Sequence, residues 1–595
     1  MLARRRRPPE IADEMDARRK RRWHWNRAMS DDTQALVRKL RDICGRRHVL
    51  IDASKTRPFA TGYRCGAGSV VAVVRPGTLV EQWRVLQACV AGGAIVIMQG
   101  ANTGLTGGST PNGDYDRPVI VVNTMRIAAI HLIRGGAQVV CLPGATLHAL
   151  ERELRPLGRE PHSVIGSSCI GASVFGGICN NSGGALIQRG PAYTELALFA
   201  RLSSRRQLEL VNHLGITLDG DAEDILQCVE DGRFPEDAIQ TGNLAASDRR
   251  YGEHVRQIDE PSPARFNADA TRLFEASGSA GKIAVFAVRL DTFISETRTA
   301  TFYIGTNAPS ELTKLRRHIL ATFPSLPIAA EYIHKDAFDV AEVYGKDMFL
   351  AIQYLGTDRL PRLFALKNWI DRTARRIPYA PTFLSDRILQ RLSHLFPAHL
   401  PARIKQYRRR FAHHLILKVS EDAIATTRSY LSDVFPSDTG DVFECSADEA
   451  QKAFLHRFAV AGAAVRYRAI HAGEVEDIVA LDIALRRNDP DWFENLPEGL
   501  RNSIISSLYY GHFFCHVFHQ DYIVAKGHDA VALEEHMLEL LDARGAEYPA
   551  EHNVGHLYRA KPALAAHYRA LDPCNAFNPG IGKTSKSAHW HSATL

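Results

Sequence analysis

A chain of 595 residues, 45% apolar and 23% charged, has the length for several domains with large cores and the composition of an ordinary soluble globular protein. No apolar run approaches the roughly 20 residues that span a bilayer; the longest, FAVAGAAV (Phe458 to Val465), is closed by arginines on both sides, which excludes a transmembrane helix. The net charge of +7 decides little, and ten cysteines without a Cys-x-x-Cys pair exclude a zinc ribbon or a thioredoxin motif, reading instead as reduced thiols of a cytosolic protein.

Residues 1–30 hold ten Lys/Arg with no apolar core behind them, so they read as a basic disordered leader and not as a secretory signal. Residues 31–60 pattern as a helix and then a loop. From Val70 to about Leu202, short apolar strands alternate with helices. VVAVVRPG is a strand ending at a turn, TLVEQWRVLQACVAGG a helix, AIVIMQG and VIVVNT strands, and GAQVVCLPGATLHALERELRPLG a strand, a turn and a helix. This alternation points to an α/β or α+β domain. Residues 203–265 are more polar and less periodic, and GKIAVFAVRLDTF (Gly281 to Phe293) is again a strong strand.

A second α/β region starts near Arg298 and is interrupted by a basic stretch. From Asp358 to Lys418 there are fourteen Lys/Arg against three acids. Leu363, Leu366, Trp369, Ile370 and Ile377 recur at helical spacing among Arg362, Lys367, Arg372, Arg375 and Arg376. Ile388, Leu389, Leu392, Leu395 and Phe396 repeat the pattern, and YRRRF (Tyr407 to Phe411) ends the run. Basic amphipathic helices suit an anionic lipid surface; a solvated basic face packed on a neighbouring domain is the plainer alternative. No base-stacking or groove-reading motif accompanies the arginines, so nucleic acid is not an expected partner. Beyond the interruption HHLILKVS and AVRYRAIHAG read as strands, and the chain from about Ala530 as a helix followed by loop motifs.

Two glycine clusters carry the chemistry of the first half. IVIMQGANTGLTGGST (Ile95 to Thr110) is an apolar strand opening into a glycine loop, without a Gly-x-Gly-x-x-Gly helix start or a Walker ending. IGSSCIGASVFGGICNNSGG (Ile165 to Gly184) combines small residues with Ser and Asn donors and acceptors. Two such loops, each after an apolar strand, can wrap a pyrophosphate and the ring attached to it. In the second half, YYGHFFCHVFHQDY (Tyr509 to Tyr522) and AEHNVGH (Ala550 to His556) gather His512, His516, His519, Glu551 and His552, a set able to bind a divalent metal or to serve as acid and base. His516 reads as a core histidine satisfied by the backbone. HRFAVAGAAVRYRA (His456 to Ala469) offers Arg457, Arg466 and Arg468 to a substrate carboxylate, with a solvated salt bridge the competing reading for Arg468.

GANTGLTGGS, GGICNNSGG and GSAGKIAVFAVRL, in that order, resemble the fingerprint of the vanillyl-alcohol-oxidase-type flavoproteins, whose FAD domain is of the p-cresol methylhydroxylase (PCMH) type. SVIGSSCIGAS, QRGPAYTE, EDIVALDIALRRND, YPAEHNVGHLY and NPGIGKTSK bring the chain closer to the respiratory branch of that family, from about residue 35 to about 587. The resemblance implies an α+β fold: a two-subdomain, discontinuous PCMH-type FAD-binding domain and an α/β cap carrying an inserted basic helical membrane-binding region. The expected divisions are the leader 1–30, FAD domain 31–292, cap 293–333 and 413–542, inserted region 334–412, and a return to the FAD domain over 543–595.

It further implies cofactor contacts at Gly100, Ala101, Asn102, Thr103, Gly104, Gly108, Ser109, Gly166, Ser173, Gly183 and Val285, many through backbone N–H groups. No histidine lies between Gly77 and Met125, where some relatives tether the flavin, so non-covalent FAD is expected. The 2-hydroxyacid branch carries His-x-Gly-Asp-Gly-Asn-Leu-His and a later Glu-His-Gly. His512, His519 and Glu551 match its metal positions and His552 its base, although Phe-Phe-Cys-His-Val-Phe replaces the polar core between the two histidines. Arg457 and Arg466 match its carboxylate-binding stretch. The implied activity is oxidation of D-lactate to pyruvate with electrons passed to membrane quinone, by a peripheral protein on the cytoplasmic face of the bacterial inner membrane. A D-2-hydroxyglutarate-type oxidation with a soluble electron carrier is the alternative.

Overall fold

The computed structural model describes residues 30–591 apart from 63, 163–170, 241 and, within 357–382, all but 363, 367, 370, 371, 373 and 374. Residues 1–29 of the leader, Gly166, Arg362, Leu366, Trp369, Arg372, Arg375, Arg376 and Ile377 lie outside the described residues.

Strands β1 (Val49–Leu50), β2 (Ala72–Val74), β3 (Ile95–Gln99) and β4 (Val119–Asn123) form a sheet ordered β1-β2-β4-β3, with β2, β4 and β3 parallel. Parallel strands are covered on both faces, which is why these read as unbroken apolar runs. The helix Leu79–Ala91 covers the sheet with Leu79, Trp83, Val85, Leu86 and Cys89, and Thr78 starts it by accepting the Glu81 N–H at 3.0 Å. The far end of the chain returns here: Val96 of β3 donates to the Ala576 carbonyl at 3.0 Å and accepts from Asn578 N–H at 2.9 Å.

A second, antiparallel sheet runs β5-β6-β10-β8-β9, from β5 (Ile130–Ile133), β6 (Gln138–Cys141), β8 (Ala197–Leu202), β9 (Leu208–Asn212) and β10 (Ala284–Ile294), with β7 (Arg159–Pro161) also paired to β10. The third sheet is antiparallel throughout, β14-β11-β13-β12-β16-β17-β15, from β11 (Thr299–Thr306), β12 (Ala329–His334), β13 (His413–Ser420), β14 (Gly440–Glu444), β15 (Val475–Ala484), β16 (Ile504–His512) and β17 (Val517–Ala525). His334 stands opposite His413, so residues 335–412 leave and re-enter the sheet at one point, with the described helices Lys335–Tyr344, Lys346–Leu355, Leu384–Ser393 and Ala402–Arg410 between.

Three elements differ from expectation: the loop expected before residue 60 holds the helix Ala53–Ala60, the loop motifs expected after the helix Ala530–Ala543 hold the helix Pro562–Leu571, and the third lies in the expected cap. AVRYRAIHAG is not a strand: most of it is the last part of the helix Ala447–Ile470. A reciprocal capping box nucleates that helix, Ser446 accepting from the Glu449 N–H while the Glu449 carboxylate accepts from the Ser446 N–H.

Among the described residues, several of the expected basic side chains are internally paired. Lys405 meets Glu342 at 2.7 Å, Arg403 meets Glu449, Arg408 meets Asp339, and Arg410 meets Asp441 at 2.9 Å.

Candidate active site

The two glycine loops touch each other. A Cβ built on Gly100 would lie 2.6 Å from the Ser173 hydroxyl, and Ser173 caps the short helix Val174–Ile178 by accepting from Gly176 N–H at 3.1 Å. Asn102, at φ +55°, closes the first loop: its Nδ2 donates to the Thr61 carbonyl at 3.0 Å and its Oδ1 accepts from Ser109 Oγ at 3.2 Å. Ala101 and Thr103 are half-buried, and Gly104 is exposed where a Cβ would meet no protein atom within 4 Å. A Cβ on Gly108 would lie 2.8 Å from Asn553 Cγ, and one on Gly183 2.6 Å from Glu551 Cδ. Val285 is buried in β10, its carbonyl accepting from Gln82 at 3.3 Å.

At Gly100, Gly108 and Gly183 the space denied to a side chain is filled by Ser173, Asn553 and Glu551, so the demand for glycine there is set by protein neighbours. Gly104 alone of the four faces open space.

Glu551 leads into the second constellation. His512 Nε2 lies 3.5 Å from His519 Nε2 and 3.3 Å from Glu551 Oε2, and His519 Nε2 lies 3.9 Å from the same oxygen. The hairpin makes this possible: His512 ends β16, Phe513–Cys515 form one buried 3-10 turn, and His519 stands across from Tyr510 on β17. The apolar residues that replace the family's polar core therefore fill the protein interior and leave the trio assembled. His516, at φ +54°, is a core histidine, with Nδ1 2.8 Å from the Arg486 carbonyl.

Each member is held from behind. Glu331 on β12 accepts from His512 Nδ1 at 2.6 Å, Asp482 on β15 stands 3.4 Å from His519 Nδ1, and Arg265 donates to Glu551 Oε1 at 2.7 Å. The second oxygen of Asp482 accepts from the backbone N–H groups of Glu551 and His552, at 2.7 and 2.9 Å, and lies 3.2 Å from His552 Nδ1. The His552 ring is 5.9 Å from that of His519 and its side chain is 35% exposed.

Electrostatics follow from this packing. Burial alone would lower the His512 pKa, but Glu331 and Glu551 push it up to about 10. Burial alone would raise Glu551, yet His512 and Arg265 hold it well below the usual carboxylate range. His519 is driven well below the ordinary imidazole value by burial and by neighbouring His512. Two buried carboxylates thus demand positive charge between them.

The arginines separate. Arg457 lies 3.0 Å from Glu331 and 4.7 Å over the Tyr510 ring, beside the trio. Arg466 is instead committed to Asp386 and Asp347, at 2.6 and 2.9 Å, which corrects its expected place at a substrate carboxylate. Nine residues along a helix is two and a half turns, so the two side chains leave opposite sides about 13 Å apart. Arg468 pairs with Asp477 at 2.7 Å.

Comparison with known proteins is decisive at this point. Residues 301–590 match the family model described as D-lactate dehydrogenase, membrane binding, and residues 70–194 match the FAD binding domain. The chain is 58% identical to the quinone-dependent D-lactate dehydrogenase of Haemophilus influenzae, over 94% of its own length and 99% of the relative's. It is 55% identical to that of Escherichia coli, over 94% and 98%. The chain belongs to the quinone-dependent D-lactate dehydrogenase family. The fold is also that of p-cresol methylhydroxylase (TM-score 0.56, 10% identity, 93% of this chain and 98% of that one) and of 4-ethylphenol oxidase from Gulosibacter chungangensis (TM-score 0.53, 12% identity, 94% and 98%). Among the described residues no helix is long and apolar enough to cross a membrane, which with the membrane-binding match fits a peripheral membrane protein.

The residues present fit the FAD of this D-lactate dehydrogenase family. Beside the two loops the buried Oδ1 atoms of Asn180, Asn181, Asn267 and Asn578, and Thr106 Oγ1, have no hydrogen-bond partner among the described residues, leaving acceptors for a ligand's hydroxyl and N–H groups. They also fit a divalent metal. Tetrahedral coordination at about 2.1 Å sets ligand atoms about 3.4 Å apart, and the three separations are 3.3, 3.5 and 3.9 Å. Both Nδ1 atoms face carboxylates and leave Nε2 to the ion, the usual second-shell arrangement.

Sequence reasoning passed over Glu331, Asp482 and Arg265. A signal existed for the first two: Glu331 is the single acid of its apolar strand, in IAAEYIH, and Asp482 is the one acid in the apolar run IVALDIAL. A buried acid needs partners, and these have histidines.

Proposed function

We propose that this cleft oxidises D-lactate to pyruvate at non-covalently held FAD and passes the electron pair to membrane quinone. The observation that carries the reading is the contact of Gly183 with Glu551, which joins the second glycine loop to the His512–His519–Glu551 trio. A flavin domain and a hydroxyacid site thereby share one wall.

The roles follow from free atoms. Arg457 Nε, buried and without a hydrogen-bond partner among the described residues, receives the substrate carboxylate. Asp482 holds the His552 Nδ1 edge, so Nε2 takes the hydroxyl proton and Asp482 stabilises the resulting imidazolium. FAD, when bound, would supply the hydride acceptor for the α-hydrogen, and the first loop from Gly100 through Ser109, with Ser173, would hold its phosphates. A divalent metal held by His512, His519 and Glu551 would polarise the hydroxyl. The protein sits on an anionic lipid surface at the cytoplasmic face of the inner membrane; its nine described cysteines are all free thiols, the state a reducing compartment maintains.

Turnover of D-lactate, L-lactate and D-2-hydroxyglutarate with a quinone analogue tests this. D-lactate should be strongly preferred. Preference for D-2-hydroxyglutarate without quinone reduction overturns the reading in favour of the soluble-carrier alternative.

A further inference from the structure

The helix Leu384–Ser393 is packed inside out. Its buried residues are Ser385, Asp386, Gln390 and Ser393, while Ile388 and Leu392 are 45% and 43% exposed. Phe383 just before it is 39% exposed and Leu395 just after it 80%. A buried polar face with an exposed apolar one is the reverse of a globular surface helix.

The polar face is satisfied where it lies. Asp371 accepts from Ser385 N–H and Oγ at 2.9 and 2.6 Å, and Asp386 accepts from Lys367 at 2.7 Å and Arg466 at 2.6 Å. Gln390 donates to the Val343 carbonyl at 3.1 Å and Ser393 to the Gln390 carbonyl at 2.7 Å. Turning the helix to bury Ile388 and Leu392 would strand an aspartate and two amide or hydroxyl groups, a larger penalty than two aliphatic side chains recover. Arg466, reaching from the helix Ala447–Ile470, is the anchor that fixes this orientation.

We infer that Phe383, Ile388, Leu392 and Leu395 form a ridge that enters the acyl boundary of the bilayer, with the helix lying in the plane of the interface. The occupant is lipid and not a partner protein on three grounds. The helix falls within the residues that match the membrane-binding family model. Arg391 stands on the exposed face between Ile388 and Leu395, where an anionic headgroup would meet it, and Arg409 is exposed on the following helix. No described helix can span the membrane, so attachment must be shallow. The inference rests on the membrane attachment proposed above and adds that the grip is apolar as well as electrostatic.

The test uses full-length FAD-loaded protein and vesicles of equal parts phosphatidylglycerol and phosphatidylcholine, with acyl-brominated lipid as quencher. Leu395→Trp should gain quenching over the parent's own tryptophans, and Leu392→Asp/Leu395→Asp should lower vesicle partitioning roughly tenfold or more. Both variants should turn over D-lactate with a soluble dye as the parent does, which shows that they fold. If the parent binds vesicles but Leu395→Trp gains no quenching and the double variant sediments unchanged, the ridge is wrong while membrane attachment stands. If the parent itself does not bind, both fall.

Discussion

Gly183 and Glu551, 368 positions apart in sequence, pack so closely that a methyl on Gly183 would press into the Glu551 carboxyl, 2.6 Å from its Cδ. Below about 3 Å one of the two must move. Gly183→Ala should therefore displace Glu551 and lower dye-linked D-lactate turnover on the order of 10- to 100-fold, the loss usual when the group supporting a metal ligand is changed, if Glu551 is one. Steady-state kinetics check this, with circular dichroism to show that the fold persists; unchanged kcat/KM would separate the glycine loop from the trio.

Metal removal probes the same trio from the other side. Chelation should abolish most turnover without removing the flavin's visible absorbance, and restoring a divalent cation should recover it. Metal analysis of the chelated protein alongside the activity assay decides. Full activity in metal-free protein would leave His512 simply protonated between Glu331 and Glu551.

Arg457 and Arg466 should respond differently. Arg457→Met should raise KM for D-lactate and cost less stability than Arg466→Met, because Glu331 keeps His512 at 2.6 Å whereas Asp347 loses its arginine. Arg466→Met should leave KM alone but deprive Asp347 of its arginine and leave Asp386 to Lys367, costing about 3–5 kcal/mol. Melting curves and KM measured on both variants separate the roles; a raised KM for Arg466→Met with normal stability would restore it to the substrate.

Buried neutral histidines set an acid limit. Burial first, with neighbouring positive charge or imidazole, lowers His399 to about 4 and His414 and His456 to about 3. His414 lies 5.6 Å from the Phe338 ring, His456 4.2 Å from the same ring, and His399 4.6 Å from Phe349. Between those values and the ordinary imidazole pKa, the unfolded chain binds protons that the folded one refuses. Their stability contribution is therefore full above about pH 6.5 and is lost as pH falls toward 3, by about 1.4 kcal/mol per group per pH unit. Urea midpoints from pH 7 to pH 4 should fall steeply, and His456→Leu should flatten the slope; a flat profile in the parent contradicts this.

What could be read from sequence follows physical locality. The strand β3 and its glycine loop are visible because apolar run and glycines are contiguous. The spacing of His512 and His519 places them on opposite faces of a straight strand, and only the turn at Phe513–Cys515 brings them face to face. The end of the helix Ala447–Ile470 reads as a strand because Val465, Tyr467 and Ala469 alternate with arginines, whereas Ser446 and Glu449 at its start announce a capping box. The charge run YRRRF is legible, but the pairing of Arg408 with Asp339 and of Arg410 with Asp441 is not, since a helix and a strand distant in sequence bring those partners.

The most direct measurement is the flavin's visible spectrum under anaerobic titration with D-lactate. One equivalent should bleach the band, release pyruvate and leave the flavin open to reoxidation by quinone, while L-lactate leaves the band unchanged. A flavin band that survives excess D-lactate, in protein that is folded and carries FAD, would contradict the assignment of this cleft.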